Sequence, residues 1–395
     1  MKIAAALAAL GALLWVAAPA LSTSPYVPQA ADFTQPLPPL EPLAPAQLRA
    51  GHPADDAHAA ERAFRFQSPA IEAPGRFDLV GIAGYLGEFE LRVRTAGDDW
   101  SEWVTLAAGD PLYTGGSDEV QVRTRRPLRN RELHYVNVGG DASPLEGLLN
   151  DVRGTVNAAV IDTFGGEAVA ASPKPDFISR RDWGANQKKG GCEPRDEADY
   201  GKVKAAAVHH TVSLNDYSEA EAPGMVLAIC RYHRNANGWD DIGYNALVDR
   251  FGNVYQGRAG GMAKPVVGAQ AEGHNAQTAG VATIANHEDI EPSGPERRGV
   301  VAYLAWRLEK AGVPALGKTN LKSAGGSTTR TPAGQRIRVK RIFGHRDTNE
   351  TACPGSYLYE QLGRIRRMVQ ERMDSYAGVE GDDGGTDPGG VIPRG

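Results

Sequence analysis

Two short stretches of this chain carry residue types that can do chemistry together. Gly344-His345-Arg346-Asp347 runs on to Thr351-Ala352-Cys353-Pro354-Gly355, and upstream stands Val208-His209-His210-Thr211. Two imidazoles and one thiolate supply three of the four ligands of a tetrahedral zinc and leave the fourth position open. An open position is what distinguishes a catalytic zinc from a structural one. The candidate ligands are His345, Cys353 and one histidine of the 209–210 pair. Adjacent residues on a strand face opposite ways, so only one of the pair reaches a metal, and the small residues before it do not say which. Cys353 stands just before an expected helix start, where a thiolate is favoured. A Cys353–His345 thiol hydrolase is the rival arrangement. It leaves the histidine pair without a purpose.

These groups need elements that deliver them to one crevice. The apolar run 203–208 reads as a buried strand ending at His209, and Ile342-Phe343 as a second strand ending at His345. After Cys353 a helix is expected, with Leu358, Leu362, Ile365 and Val369 on one face and Pro354 in its first turn. Helices are also expected over 222–234 and 300–311. A hairpin is expected from 245–248 to 253–256 around Asp249-Arg250-Phe251-Gly252. Residues 315–335 read as a polar insertion or hairpin. Upstream, alternation at Phe89, Leu91 and Val93, and at Val120 and Val122, marks antiparallel strands. The expected fold is an α/β catalytic domain, a mixed central sheet flanked by helices, preceded by a small all-β domain. Trp100, Trp103 and Tyr113 of that β region read as core or hairpin packing before a glycan-binding surface.

At 395 residues the chain is long enough for two domains, and its 41% hydrophobic content is that of a folded protein. A net charge of −5 gives no reason to expect nucleic acid. Residues 1–20 read as an export signal, Lys2 and an apolar run ending in Ala18-Pro19-Ala20, in preference to an uncleaved anchor. The expected divisions are a Pro/Ala-rich linker at 21–59, the β-rich domain at 60–163, a linker at 164–175, the catalytic domain at 176–374 and a disordered tail at 375–395. Export makes an odd number of cysteines notable. If Cys353 binds a metal, Cys192 and Cys230 remain as a disulfide pair.

Four ordered motifs resemble the peptidoglycan recognition protein family, within the zinc-dependent N-acetylmuramoyl-L-alanine amidases of the type-2 fold. They are Val208-His209-His210-Thr211, Gly238-Trp239-Asp240-Asp241-Ile242-Gly243-Tyr244-Asn245, Tyr255-Gln256-Gly257-Arg258, and the Gly344–Asp347 and Thr351–Gly355 pair. The opening Ile178-Ser179-Arg180-Arg181-Asp182-Trp183-Gly184-Ala185 is similar as well, so the resemblance spans about half the chain. The β region and the polar insertion resemble secreted actinobacterial members. The resemblance implies zinc (Zn2+) held by His209, His345 and Cys353, with Tyr244 beside the reacting centre and Thr351 supporting the oxyanion. It further implies that Arg258, Trp239 and His233 contact the glycan or the peptide stem.

The implied protein is a secreted, cell-wall-associated monomer without stable membrane association. It hydrolyses the bond between N-acetylmuramic acid and L-alanine in peptidoglycan. A non-catalytic peptidoglycan binder is the alternative within the family. One departure is visible: Val267-Gly268-Ala269 is followed by Gln270 where many members carry histidine, with His274 further on. This bears on groove preference, not on the metal. His287 and Glu288 read as solvated loop residues.

Overall fold

The computed structural model describes residues 30–44, 64–107, 109–139 and 174–380, with side chains described as far as 375. The expected export signal and most of the 164–175 linker lie outside these residues, as does the tail beyond 380.

Among the described residues, the amino-terminal half is an antiparallel sheet of eight strands. They are β1 (Ala31–Pro36), β2 (Glu41–Pro42), β3 (Phe66–Gln67), β4 (Ile71–Ile82), β5 (Phe89–Arg94), β6 (Val104–Leu106), β7 (Leu112–Thr124) and β8 (Glu132–Asn137). The 21–59 stretch is therefore not simply a linker, because β1 pairs with β8 from Ala31 opposite Asn137 to Pro36 opposite Glu132. Proline is tolerated there because it falls at the end of an edge strand. Alternation along β5 puts Phe89, Leu91 and Val93 inside and Glu90, Arg92 and Arg94 outward. The outward arginines stack on the tryptophans: Arg92 lies 4.9 Å from the Trp100 ring and 4.6 Å from that of Trp103, and Arg123 lies 3.9 Å from Trp103. The indoles are thus packed under guanidinium groups.

The carboxy-terminal half is built on a six-stranded mixed sheet. Its strands are β9 (Phe177–Ile178), β10 (Ala205–His210), β11 (Ala246–Val248), β12 (Val254–Gln256), β13 (Thr278–Thr283) and β16 (Ile342–Gly344). The order is β16-β10-β13-β11-β12-β9, with β11 and β12 antiparallel and the other pairs parallel. Helices α1 (Ala222–Asn235), α2 (Gly294–Glu309) and α3 (Ser356–Glu380) cover it. The insertion forms a separate hairpin, β14 (Lys318–Lys322) with β15 (Arg336–Lys340). Helix α3 continues through residue 380, past the expected boundary at 374.

On one side of the sheet, α2 and α3 bury Val300, Leu304, Leu362 and Ile365 against Val208, Val248 and Val281. On the other, α1 is shared between the halves. Its Tyr232 and Ile229 belong to one apolar cluster with Leu79, Tyr113 and Val136 of the amino-terminal sheet. Polar contacts reinforce that seam: Arg231 Nε meets Asp32 Oδ1 at 2.8 Å, and Asn237 Nδ2 donates to Gly109 O at 2.9 Å.

Candidate active site

His209 stands at the carboxy-terminal end of β10, next to the edge strand β16, and His345 follows β16, the neighbouring parallel strand. Parallel neighbours end on the same edge, so both imidazoles arrive at one crevice. Cys353 reaches it through a tight turn. Arg346 N donates to Cys353 O at 2.9 Å and Cys353 N to Thr351 Oγ1 at 3.1 Å. Gly355 has φ +87°, and a Cβ there would lie 2.4 Å from the His287 backbone, so only glycine brings the turn this close.

The three ligand atoms all lie within 4.8 Å of one another, and all three residues are buried. Two imidazoles and a thiolate at that separation fit a tetrahedral zinc. Burial pushes His209 down to about 4 and His345 well below its ordinary value, so both rings are neutral, the ligating form. Burial also pushes the Cys353 thiol well up, although the His210 N–H, 3.4 Å from Sγ, works the other way. A thiolate here needs a cation beside it.

Gln270 fixes which His209 nitrogen is free. Its Oε1 lies 2.6 Å from His209 Nε2, and its Nε2 donates to Thr278 Oγ1 at 3.0 Å. The Thr278 hydroxyl spends its own hydrogen on His274 O at 3.1 Å, so it accepts from the amide. The amide oxygen therefore faces His209, Nε2 carries the proton, and Nδ1 is left bare, 3.6 Å from Cys353 Sγ. The departure at Gln270 thus touches a candidate ligand, His209, directly, where the expectation was that it concerns groove preference alone. His210 turns to the other side, where its Nδ1 accepts from His287 N at 3.1 Å.

A cleft of about 140 Å³ opens over the ligands. It is lined by His209, His345, Trp239, Tyr244, Gln270 and Glu272, and also by Leu86 and Asp110 of the amino-terminal sheet. Tyr244 is held through its backbone, its carbonyl accepting from Arg258 N at 2.8 Å, while the following Asn245 binds Gly280 N through Oδ1 at 2.7 Å. Its ring centroid is 5.4 Å from that of His209, and its hydroxyl reaches Asp110 Oδ1 at 3.5 Å. Burial first, then the Asp110 charge, keeps the phenol pKa well above 10, so it remains a donor.

Two expected contact residues, His233 and Arg258, stand back from this cleft, as does Thr351, expected to support the oxyanion. His233 lies behind Trp239 and Tyr244, ring centroids 4.6 and 5.5 Å away, with Nδ1 accepting from Gly243 N at 3.2 Å. Arg258 binds Ile242 O at 3.3 Å and approaches Asp240 at 3.7 Å. Thr351 Oγ1 holds the Cys353 N–H and does not line the cleft. Of the three, only Thr351 has a direct link to a ligand residue. Trp239 does line the cleft. His287 is not solvated: it is buried, with Nε2 3.2 Å from Glu296 and Nδ1 3.0 Å from Ile290 O. Glu288 pairs with Arg346 at 3.1 Å.

Cys192 and Cys230 form a disulfide that ties the irregular segment before β10 to α1. Asp110 and Leu86 had no signal in the sequence, since they arrive from another sheet. Gln270 had one, its place after Val267-Gly268-Ala269.

Residues 199–356 match the family model described as N-acetylmuramoyl-L-alanine amidase. Among curated proteins, peptidoglycan-recognition protein SC2 of Drosophila melanogaster is 26% identical over 186 residues, 47% of this chain and 84% of its own length. The N-acetylmuramoyl-L-alanine amidase of Homo sapiens is 29% identical over 160 residues, 39% of this chain and 23% of that protein. Among solved structures, Drosophila PGRP-LB aligns at 22% identity with a TM-score of 0.36, over 48% of this chain and 92% of that one. With its motifs in order and its candidate ligand residues gathered at one crevice, the carboxy-terminal half of this chain is similar, over residues 199–356, to the N-acetylmuramoyl-L-alanine amidase family that includes peptidoglycan recognition proteins.

Proposed function

We propose that this protein is a secreted, zinc-dependent amidase that cleaves the bond between the lactyl group of N-acetylmuramic acid and L-alanine in peptidoglycan. The observation that carries the reading is the convergence of His209, His345 and Cys353 with the Tyr244 phenol facing the same cleft. Bound zinc supplies Lewis acidity toward a carbonyl oxygen and toward water.

The chain's own residues do the rest. Gln270 keeps His209 in the tautomer that presents Nδ1. The neutral Tyr244 hydroxyl donates a hydrogen bond to the lactyl oxygen as it gains charge, an interaction stronger in the transition state than in the ground state. Trp239 and Gln270 line the way in beside Glu272. The turn that Thr351 closes sets Cys353 in place.

The rival reading of Cys353 as a nucleophile meets the thiol's raised pKa and its position among two neutral histidines. The non-catalytic binder meets a complete ligand set with a phenol beside it. Among the described residues no helix is long and apolar enough to cross a membrane. The test is mass spectrometry of muropeptides after digestion. Free lactyl and L-alanine ends, lost on chelation and restored by zinc, support the amidase. Loss on alkylation with indifference to chelator, or no cleavage at all, defeats it.

A further inference from the structure

Between Glu309 and Asp347 the chain has no carboxylate, although at its average content 37 residues would carry four or five. The same stretch holds nine lysines and arginines, in a chain whose net charge is −5. Most of them are gathered by the β14–β15 hairpin. Its register sets Lys318 opposite Lys340, Asn320 opposite Arg338, and Lys322 opposite Arg336. All six are exposed, while Leu321 and Val339 on the other face pack against Ala205, Ala207 and Phe343. Like charges placed directly across a ladder are destabilising. Nothing within the fold compensates them: among the described residues none of these five cations has an ion-pair or hydrogen-bond partner for its side chain.

The face continues into a cleft of about 660 Å³, where Asn320, Lys322 and Arg336 meet Lys202 and Lys204. No acidic residue lines it. Cations two residues apart on a strand sit about 7 Å apart, a spacing suited to a chain with charges at regular intervals. No aromatic residue lines this cleft, and none lies between the buried Trp306 and Phe343, so the cleft itself offers no platform for stacking nucleobases. The arginine forks suit phosphate oxygens. This basic cleft also adjoins the metal cleft: Ala324, in its lining, donates through N to Gly273 O at 2.8 Å, and Thr328 N donates to Glu272 at 2.7 Å. Glu272 and Thr328 line the metal cleft.

We propose that the outer face of the β14–β15 hairpin, with Lys202 and Lys204, binds a linear polyol phosphate, a wall-borne polymer with a phosphodiester in each repeat. Such binding holds the metal cleft beside the wall it acts on. The binding itself does not depend on the amidase reading; only its use does.

The test measures binding of lipid-free poly(glycerol phosphate) to the full chain at several salt concentrations. With four or five cations engaged, log K falls against log salt with a slope of about −3. Combined replacement Lys318→Gln, Lys322→Gln, Arg336→Gln, Arg338→Gln and Lys340→Gln weakens binding about tenfold or more at low salt. Hydrolysis of a small soluble muropeptide changes less than about twofold, and the melting temperature does not fall, because opposed like charges have been removed. Equal binding by the variant overturns the proposal. So does equal affinity for poly-γ-glutamate, or tighter binding of single-stranded oligo(dT). Absence of amide cleavage by the unaltered chain would count against the amidase reading alone.

Discussion

Asp110, in the turn between β6 and β7, meets the hydroxyl of Tyr244 at 3.5 Å across a separation of 134 residues. A carboxyl group from the amino-terminal sheet thereby stands beside the phenol of the candidate metal cleft. The loop that carries it is held by Asn237, whose amide donates to Gly109 O. The cleft is a product of both halves of the chain.

Tyr244→Phe removes a phenol hydroxyl from the cleft lining and leaves the candidate ligands His209, His345 and Cys353 untouched. Loss of such a donor lowers kcat by about 10²–10³. Zinc content, measured by elemental analysis, should stay at that of the parent, and an unchanged rate would remove the phenol from the mechanism.

Asp110 gives a pH dependence to stability. Burial pushes its carboxyl from 3.8 up to about 7, against the Tyr244 hydrogen bond, which favours the charge. Between those values the native state keeps a proton that the unfolded chain has lost, so stability falls as pH rises through the window and stays lost above it. The amount is on the order of 4 kcal/mol. In the metal-free protein, Asp110→Asn should therefore lose less melting temperature than the parent between pH 5 and pH 8. Parallel melting curves across that range would contradict it.

Gln270→Ala frees His209 to take the other tautomer or to turn. Zinc affinity should fall about 10- to 100-fold, as when a partner behind a metal-bound histidine is removed. Competition with a chromophoric chelator reads this directly, without any hydrolysis.

Thiol counting on denatured, metal-free but unreduced protein should return one reactive cysteine, Cys353, because Cys192 and Cys230 are bonded. Three would mean that the bridge is absent in solution.

How much of this was legible depends on whether a signal is local. The strand ending at His209, the hairpin around Asp249 and the amphipathic helix after Cys353 follow from period and turn chemistry, each within a dozen residues. Asp249 shows why: its Oδ1 accepts from both Phe251 N and Asn253 N, closing the turn on itself. β13 was harder, since Thr-Ala-Gly-Val-Ala-Thr has little apolar bulk and becomes a central strand only through its neighbours. His287 and Glu288 read as solvent residues because nothing adjacent announces Glu296 or Arg346. Asp110 is the extreme case. Its role exists only once two sheets have met, and no spacing in the chain encodes that meeting.

Helix α1 has its last consequence in how the molecule comes apart. Eleven of its residues are buried, from Ala222 to His233, some against the disulfide side and others against Leu79 and Val136. A helix clasped on both sides cannot let go of one neighbour while staying ordered for the other. Heating should therefore produce a single calorimetric transition, and severing the chain between its halves should leave a sticky, insoluble remnant in place of two freestanding modules.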